Sequence, residues 1–424
     1  MDTSPADGHL LGDLVAYLDA SPSPWHAVAT AARMLDDAGW EAVAEQDRWD
    51  DLTDRGYVMR GGALVAWRLP DRLASSFRLV GAHTDSPGLR VTPRPDSRLA
   101  GFDQLGVEIY GGVLLNSWLD RDLAVAGCLV LGDGSEHLVR VDEPVARVPQ
   151  LAIHLDRDVN ERGLVLDRHA HVRPVWGTGI GRHDDFASWV GEQAGTGTPQ
   201  WWELCLYDTQ GATVLGADRS LLASGRIDNQ VSCWAAVSAL LTAGSSDGHA
   251  SLVALFDHEE VGSGSTTGAA GPLLETVLDR LVRVAGGDVD DRARIAAASS
   301  CISADGAHAV HPNYLERHDQ AHGPIVNGGP VIKVNANQRY ATSAATAARF
   351  QRACETAGCE AQVFVSRNNM PCGSTIGPLT ATRLGIDTAD VGVAQLSMHS
   401  ARELCGALDP PRLRDALVAY LSDG

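Results

Sequence analysis

The sequence predicts an α/β fold: a central, mostly parallel sheet flanked by helices and interrupted by a β-rich insert. Three observations predict it. Beyond residue 226, apolar runs of strand length alternate with helical patterns, as expected of a sheet with helices on both faces. Before residue 94, a strong helix signal is followed by two strand-like runs. Between 94 and 225 the character changes to short β-like pieces broken by Gly and Pro, which mark turns between short strands. The expected organisation is a discontinuous α/β domain over 1–93 and 226–424, with an inserted unit over 94–225.

Each element has its own signal. In SPSPWHAVATAARMLDDAGW, Ser23 suits the N-cap, Pro24 the first helical position and Gly39 the stop, the usual asymmetry of helix ends. LVAWRL (64–69) and FRLVGAH (77–83) read as strands. VEIY, GCLVL and HLVRV read as short strands of the insert, and RHDDFASWVGEQAGTGTPQ (182–200) as a loop. IDNQVSCWAAVSALLTA reads as a helix, SLVALF as a buried strand, and SSCISA and PVIKV as further strands. ATSAATAARFQRACETAG and PPRLRDALVAYL read as helices.

The chain has 424 residues, long enough for two domains, with 44% hydrophobic and 21% charged residues. Its formal net charge is -20, from 54 acidic and 34 basic side chains. Such a surface repels nucleic acid and anionic membranes, so neither is an expected partner. It also repels acidic small ligands unless a local basic group receives them. The N-terminus lacks a basic region followed by an apolar stretch, so no secretory signal is expected. No apolar run approaches the ~18 residues of a membrane span. The eight cysteines form no CxxC pair, which suits reduced thiols in a cytoplasmic protein.

Five segments place His, Asp or Glu at or just past the end of an element, where open α/β sheets build their sites. In GAHTDSPG, His83 closes a strand and Asp85 follows it. The pair is either a capped turn or a metal ligand with its orienting acid. In SGRIDNQ, Asp228 opens a helix, as an N-cap or as a carboxylate bridging two cations. In LVALFDHEEVGSGS, Glu259 and Glu260 follow a strongly apolar strand. Two adjacent carboxylates there need water, a proton or a cation. A solvated acidic turn is one solution; the other is Glu260 on a metal and Glu259 as general base. Asp305 ends the strand of SSCISADGAH, and His399 follows an apolar stretch in QLSMHSARE, where a packed or capping histidine is the plain alternative. Two histidines and three carboxylates suit two divalent ions sharing one carboxylate.

These segments, in this order, resemble the aspartyl aminopeptidases, a branch of the co-catalytic zinc peptidases. The resemblance runs from SPSPWHAV to MHSARE and includes YGGVLLNSWLDRDL, LAIHLDRDVNERG, SADGAHAVHPNY, GPVIKVNANQRYAT and PCGSTIGP. It implies one metal on His83, Asp228 and Asp305 and a second on Asp228, Glu260 and His399, most simply two Zn2+, with Co2+ or Mn2+ also fitting. It implies Glu259 as general base, Asp85 as partner of His83, and His308, Lys333 and Tyr340 as substrate-binding residues. The implied substrates are peptides with an N-terminal Asp or Glu. A lysine in the middle of PVIKVN is costly to bury unpaired, so a substrate carboxylate suits it, unless Lys333 reaches solvent from an edge strand. The resemblance further implies that the insert mediates dimer contact or acts as a lid, and that twelve subunits assemble from dimers. His154 is implied to be a further substrate-binding residue that reaches a neighbouring subunit's site and steadies the reacting oxyanion; an ordinary strand histidine and a metal ligand are the alternatives, the latter less favoured because five ligands already serve the pair. Val113 and Asn116 depart from the family pattern, where Gly and a bulkier or polar residue are common.

Two other functions remain at this point. A related aminopeptidase of neutral or broad specificity has no use for Lys333. A non-catalytic shell protein is expected to have lost the base or a ligand.

Overall fold

The computed structural model describes residues 5–179 and 185–422. Among them, a nine-stranded sheet runs from edge to edge as Glu41–Ala42, Arg55–Arg60, Ala63–Arg68, His249–Phe256, Ser76–His83, Ser300–Ala304, Asp387–Gly392, Val331–Val334 and Gln362–Val365. The four central strands, His249–Phe256 through Asp387–Gly392, are parallel. Such strands are expected to be apolar on both faces, and His249–Phe256 is buried throughout.

The strand pleat divides the core in two. Val80, Ala82, Val253 and Leu255 point to one apolar cluster, which contains the helices Pro24–Asp37, Ile227–Thr242 and Asp409–Ser422. Phe77, Leu79, Leu252, Ala254 and Phe256 point to the other, under the helix Leu273–Val284. Alternate residues of one strand therefore serve opposite layers. The helix starting at Pro24 begins as expected: Ser23 Oγ accepts from His26 N, and Pro24 holds the first turn.

A second, six-stranded antiparallel sheet is built from residues 88–208. The strands Thr213–Leu215 and Leu221–Ser224 pair instead into a five-stranded sheet with Glu403–Gly406, Ala394–Leu396 and Ala307–His308. The segment expected to be a loop over 182–200 is in part a helix, Phe186–Gln193, capped by Asp185; residues 182–184 lie outside the described residues. Its Phe186, Trp189 and Val190 are buried in the core of the second sheet. Phe186 packs at 5.7–5.8 Å from Trp176, Trp189 and Trp202, so tertiary aromatic packing outweighs a sequence rich in Gly and Thr. Val113 packs partly against the same core, and Asn116 sits in the short turn Leu115–Trp118.

Gly392 shows how closely the sheet approaches the residues at its ends. A Cβ added there meets the main-chain oxygen of Asp305. Gly392→Ala is expected to displace Asp305 and cost about 1–3 kcal/mol, read as a lower midpoint in urea; an unchanged midpoint contradicts this packing.

Candidate metal centre

Three adjacent parallel strands deliver their ends to one place. His83 ends Ser76–His83, Asp305 directly follows Ser300–Ala304, and Glu259 and Glu260 form the turn just past His249–Phe256. Asp228 comes from the start of Ile227–Thr242, and His399 from the loop before Glu403–Gly406. The chain leaves ordinary backbone to do this: His258 and His399 have φ of 62° and 68°, a region that costs a non-glycine residue about 1–3 kcal/mol.

Five side chains distant in sequence thereby form two donor groups: His83, Asp228 and Asp305, and Asp228, Glu260 and His399. Within each, the donor atoms lie within 4.8 Å of one another, and His83, Glu259 and Glu260 form a third, overlapping group. His83 Nε2 is 3.3 Å from Asp228 Oδ1 and 3.8 Å from Asp305 Oδ1. His399 Nε2 is 3.5 Å from Asp228 Oδ2 and 3.3 Å from Glu260 Oε1. Ligands bound tetrahedrally to zinc at 2.0–2.2 Å stand about 3.3–3.6 Å apart, so the donor set fits. Asp228 spends no side-chain bond on capping its helix. Its Oδ1 is buried without a hydrogen-bond partner, as a carboxylate kept for a cation requires.

Electrostatics points the same way. His83 is fully buried, which alone lowers its pKa; Asp228, Asp305 and Asp85 outweigh burial and hold it well above the imidazole range. For His399, Asp228 and Glu260 likewise outweigh burial and raise it to about 10. Burial, then Asp228, pushes Glu260 well up. Burial pushes Glu259 up to about 8, with the charges of Asp305, Asp228 and Asp85 adding to it. The protein alone thus recruits protons to balance its carboxylates, a role a metal cation fills without them.

Asp85 organises this corner. It is fully buried, and its carboxylate accepts from Glu259 N and Glu260 N at 3.1 Å and from Tyr110 Oη at 2.7 Å. His83 Nδ1 lies 3.3 Å from Asp85 Oδ1 and 3.0 Å from the Asp85 carbonyl. The orienting contact expected between these residues is therefore shared by main chain and carboxylate. Arg90 stacks on the Tyr110 ring at 3.7 Å. Glu403 accepts from Asp228 N at 2.9 Å and His399 N at 2.6 Å. Sequence reasoning missed both Tyr110 and Glu403. Each lay in a segment already quoted, VEIY and MHSARE, but without a periodicity or spacing that sets it apart.

Lys333 differs from expectation. Its strand Val331–Val334 is paired on both sides, so it is not an edge strand. The ammonium is 2% exposed and has partners within the chain: it donates to Gly306 O at 3.1 Å and lies 3.7 Å from Asp305 Oδ2. Tyr340 lies beneath it, 5.1 Å from ring centre to Nζ. Tyr340 and His308 both pack against Phe364, so these three residues share one neighbourhood beside Asp305. His154 does not join the donor groups of its own chain; it is exposed, in a turn rather than a strand.

A family model described as Aminopeptidase I zinc metalloprotease (M18) matches residues 17–420. The chain belongs to the M18 family of zinc aminopeptidases. It is 54% identical over 417 residues to the probable M18 family aminopeptidase 2 of Streptomyces coelicolor, covering 96% of each chain. Among solved structures it is similar to a chain of the Ape4 and Nbr1 complex, with a TM-score of 0.94 and 31% identity over 99% of this chain and 86% of that one. The S. cerevisiae mApe1 dodecamer gives a TM-score of 0.84 and 26% identity, covering 97% and 96%. This M18 aminopeptidase is therefore a hydrolase of a zinc-dependent family, and its carboxylate and histidine groups suit such an ion.

Tyr110→Phe removes one donor to Asp85. Outer partners of metal-binding histidines are worth about 10–100-fold in metal affinity, so zinc is expected to be held at least roughly tenfold more weakly in competition with a chelator. Unchanged affinity counts against the Asp85 contact.

Proposed function

We propose that this M18 enzyme is a two-metal aminopeptidase that removes an acidic residue, Asp or Glu, from peptide N-termini. The observation that carries the reading is Asp228, which belongs to two donor groups at once. In this reading His83, Asp228 and Asp305 hold one ion, and Asp228, Glu260 and His399 the other. Zinc is the expected metal; cobalt and manganese suit the same donors. Bound there, such ions lower the pKa of a water to about 7 and polarise the scissile carbonyl.

Glu259 is the proton acceptor. It stands beside both donor groups without being needed to complete either. Burial gives it a proton affinity near neutrality, which suits a group that takes a proton from water and returns it to the leaving amine. Asp85 fixes the ring of His83 and the main chain of both glutamates. His308, Lys333 and Tyr340 form the side-chain pocket. A local positive charge there offsets the repulsion that a chain of net charge -20 exerts on acidic peptides.

The pairing of Lys333 with Asp305 favours a second reading, an aminopeptidase of neutral or broad specificity, because the ammonium already has a partner. Peptides beginning with Asp, Glu, Leu and Ala separate the two, run with chelator and then with zinc, cobalt or manganese. A preference for acidic ends of at least roughly tenfold is expected; a preference for Leu ends the acidic reading. Glu259→Gln is expected to keep both metals by elemental analysis and lose about 10²–10⁴-fold in kcat. Near-normal turnover refutes the assignment of the base.

Self-association is part of the proposal, with the unit around the second sheet as its contact or lid. Leu151, Ile153, Leu155 and Val165 are 58%, 47%, 74% and 84% exposed on one irregular segment. Apolar exposure of this kind marks contact surfaces, and His154 sits among these residues; in this reading it reaches a neighbour's reaction centre. With S. cerevisiae mApe1 solved as a dodecamer, we assign a dodecamer built from dimers. The eight uncrosslinked cysteines suit a cytoplasmic location. Leu155→Asp combined with Val165→Asp is expected to yield smaller species by light scattering and lower kcat; an intact assembly removes this surface from consideration.

A further inference from the structure

We propose that Arg367 is a specificity-determining residue whose guanidinium receives the carboxylate of an acidic N-terminal residue. The inference rests on the acidic-substrate reading above and names the group that enforces it.

The pocket concerned has a volume of about 190 Å³, and its lining includes His308, Tyr340, Phe364, Arg317, Arg367 and Met370. Tyr340 on this lining is the ring that lies 5.1 Å from Lys333 Nζ, so the pocket borders the neighbourhood of Lys333. The strands Val331–Val334 and Gln362–Val365 are parallel, with Lys333 opposite Phe364 and Val334 opposite Val365. Arg367 lies two residues beyond the carboxyl end of the second strand, and Lys333 one residue before the carboxyl end of the first. A bond from Met370 N to Arg367 O at 3.0 Å fixes the turn that carries it.

The cations around this pocket differ in what they already hold. Lys333 is occupied by Asp305 and Gly306 O. Arg317 faces Glu316 at 3.7 Å. His308 is kept from charging by burial and by Lys333. The carboxylate on the lining, Asp319, accepts from Ala321 N, His322 N and His322 Nδ1. Arg367 is half-buried, and among the described residues its side chain has neither a hydrogen bond nor an ion pair. A partly desolvated guanidinium with its donors uncommitted matches a carboxylate in two parallel bonds. A neutral side chain leaves those donors unanswered, which is how a polar pocket rejects it.

The experiment uses the full zinc-loaded chain and measures kcat/KM for Asp-, Glu-, Leu- and Ala-terminated peptides in wild type, Arg367→Gln, Arg367→Lys and Arg367→Glu. Arg367→Gln is expected to lower the Glu-to-Leu selectivity ratio by about 10–100-fold, mostly through KM, as loss of a charged hydrogen bond implies. Arg367→Lys restores part of the ratio, and Arg367→Glu lowers it further. If wild type is selective for acidic ends and Arg367→Gln keeps that selectivity, the proposal is overturned and the acidic reading stands. An equal loss on all four peptides also overturns it, since that is the mark of a structural role. If wild type shows no acidic preference, both fall together.

Discussion

Repulsion among buried carboxylates is the constraint on which this site depends. Asp85, Asp228, Glu259, Glu260, Asp305 and Glu403 meet in one region, and Asp85, Asp228, Asp305 and Glu403 are nearly inaccessible to water. The protein answers some of them itself. Asp85 has two main-chain donors and Tyr110, Glu403 has the amides of Asp228 and His399, and Asp305 has Lys333 on one oxygen. Asp228 Oδ1 is left without a hydrogen bond, and Glu260 has His399 as its nearest cation. The division is informative. Oxygens satisfied by the protein hold the scaffold, and those left over face the histidines.

That division is enforced by the fold. Carboxyl ends of neighbouring parallel strands lie side by side, so His83 and Phe256 are directly paired and the turn after Phe256 falls over Asp85. Apolar layers on both faces fix the strands, and the polar ends have nowhere else to go. The second sheet contributes as well. Tyr110 closes one of its strands and reaches Asp85, and the Gly112 carbonyl lies 3.1 Å from His399 Nδ1. The unit that carries the exposed Leu151, Ile153, Leu155 and Val165 is thus joined by hydrogen bonds to the centre.

The features legible in the sequence were those written locally. A long apolar run that stops at His, Glu or Asp marks a buried strand whose end must be functional or paid for in desolvation, and His83, Glu259 and Asp305 announce themselves in this way. The assignment of donors to two separate sets came from resemblance, because spacing along the chain says nothing of which oxygen faces which nitrogen. What stayed hidden depends on partners far away in sequence. Glu403 matters because of Asp228, 175 residues away, and Tyr110 because of Asp85. The helix Phe186–Gln193 forms because Trp176 and Trp202 surround Phe186, a fact absent from its own composition.

Lys333 shows how the structure changes the argument made for a residue from sequence. A buried ammonium needs an anion, and the substrate was the anion sequence alone suggested. Asp305 already stands 3.7 Å from it. An acidic side chain entering beside Lys333 therefore places two carboxylates around one ammonium. Charges about 4 Å apart at a partly wet site interact by roughly 4 kcal/mol, so the repulsion between the carboxylates offsets much of what the ammonium supplies. Either Asp305 gives up part of its negative charge to a metal, which the first donor group permits, or a second cation shares the load. For the acidic substrate proposed above, its recognition and the charge of a metal held by the first donor group would be coupled through Asp305, whose Oδ2 faces the ammonium and Oδ1 the histidine.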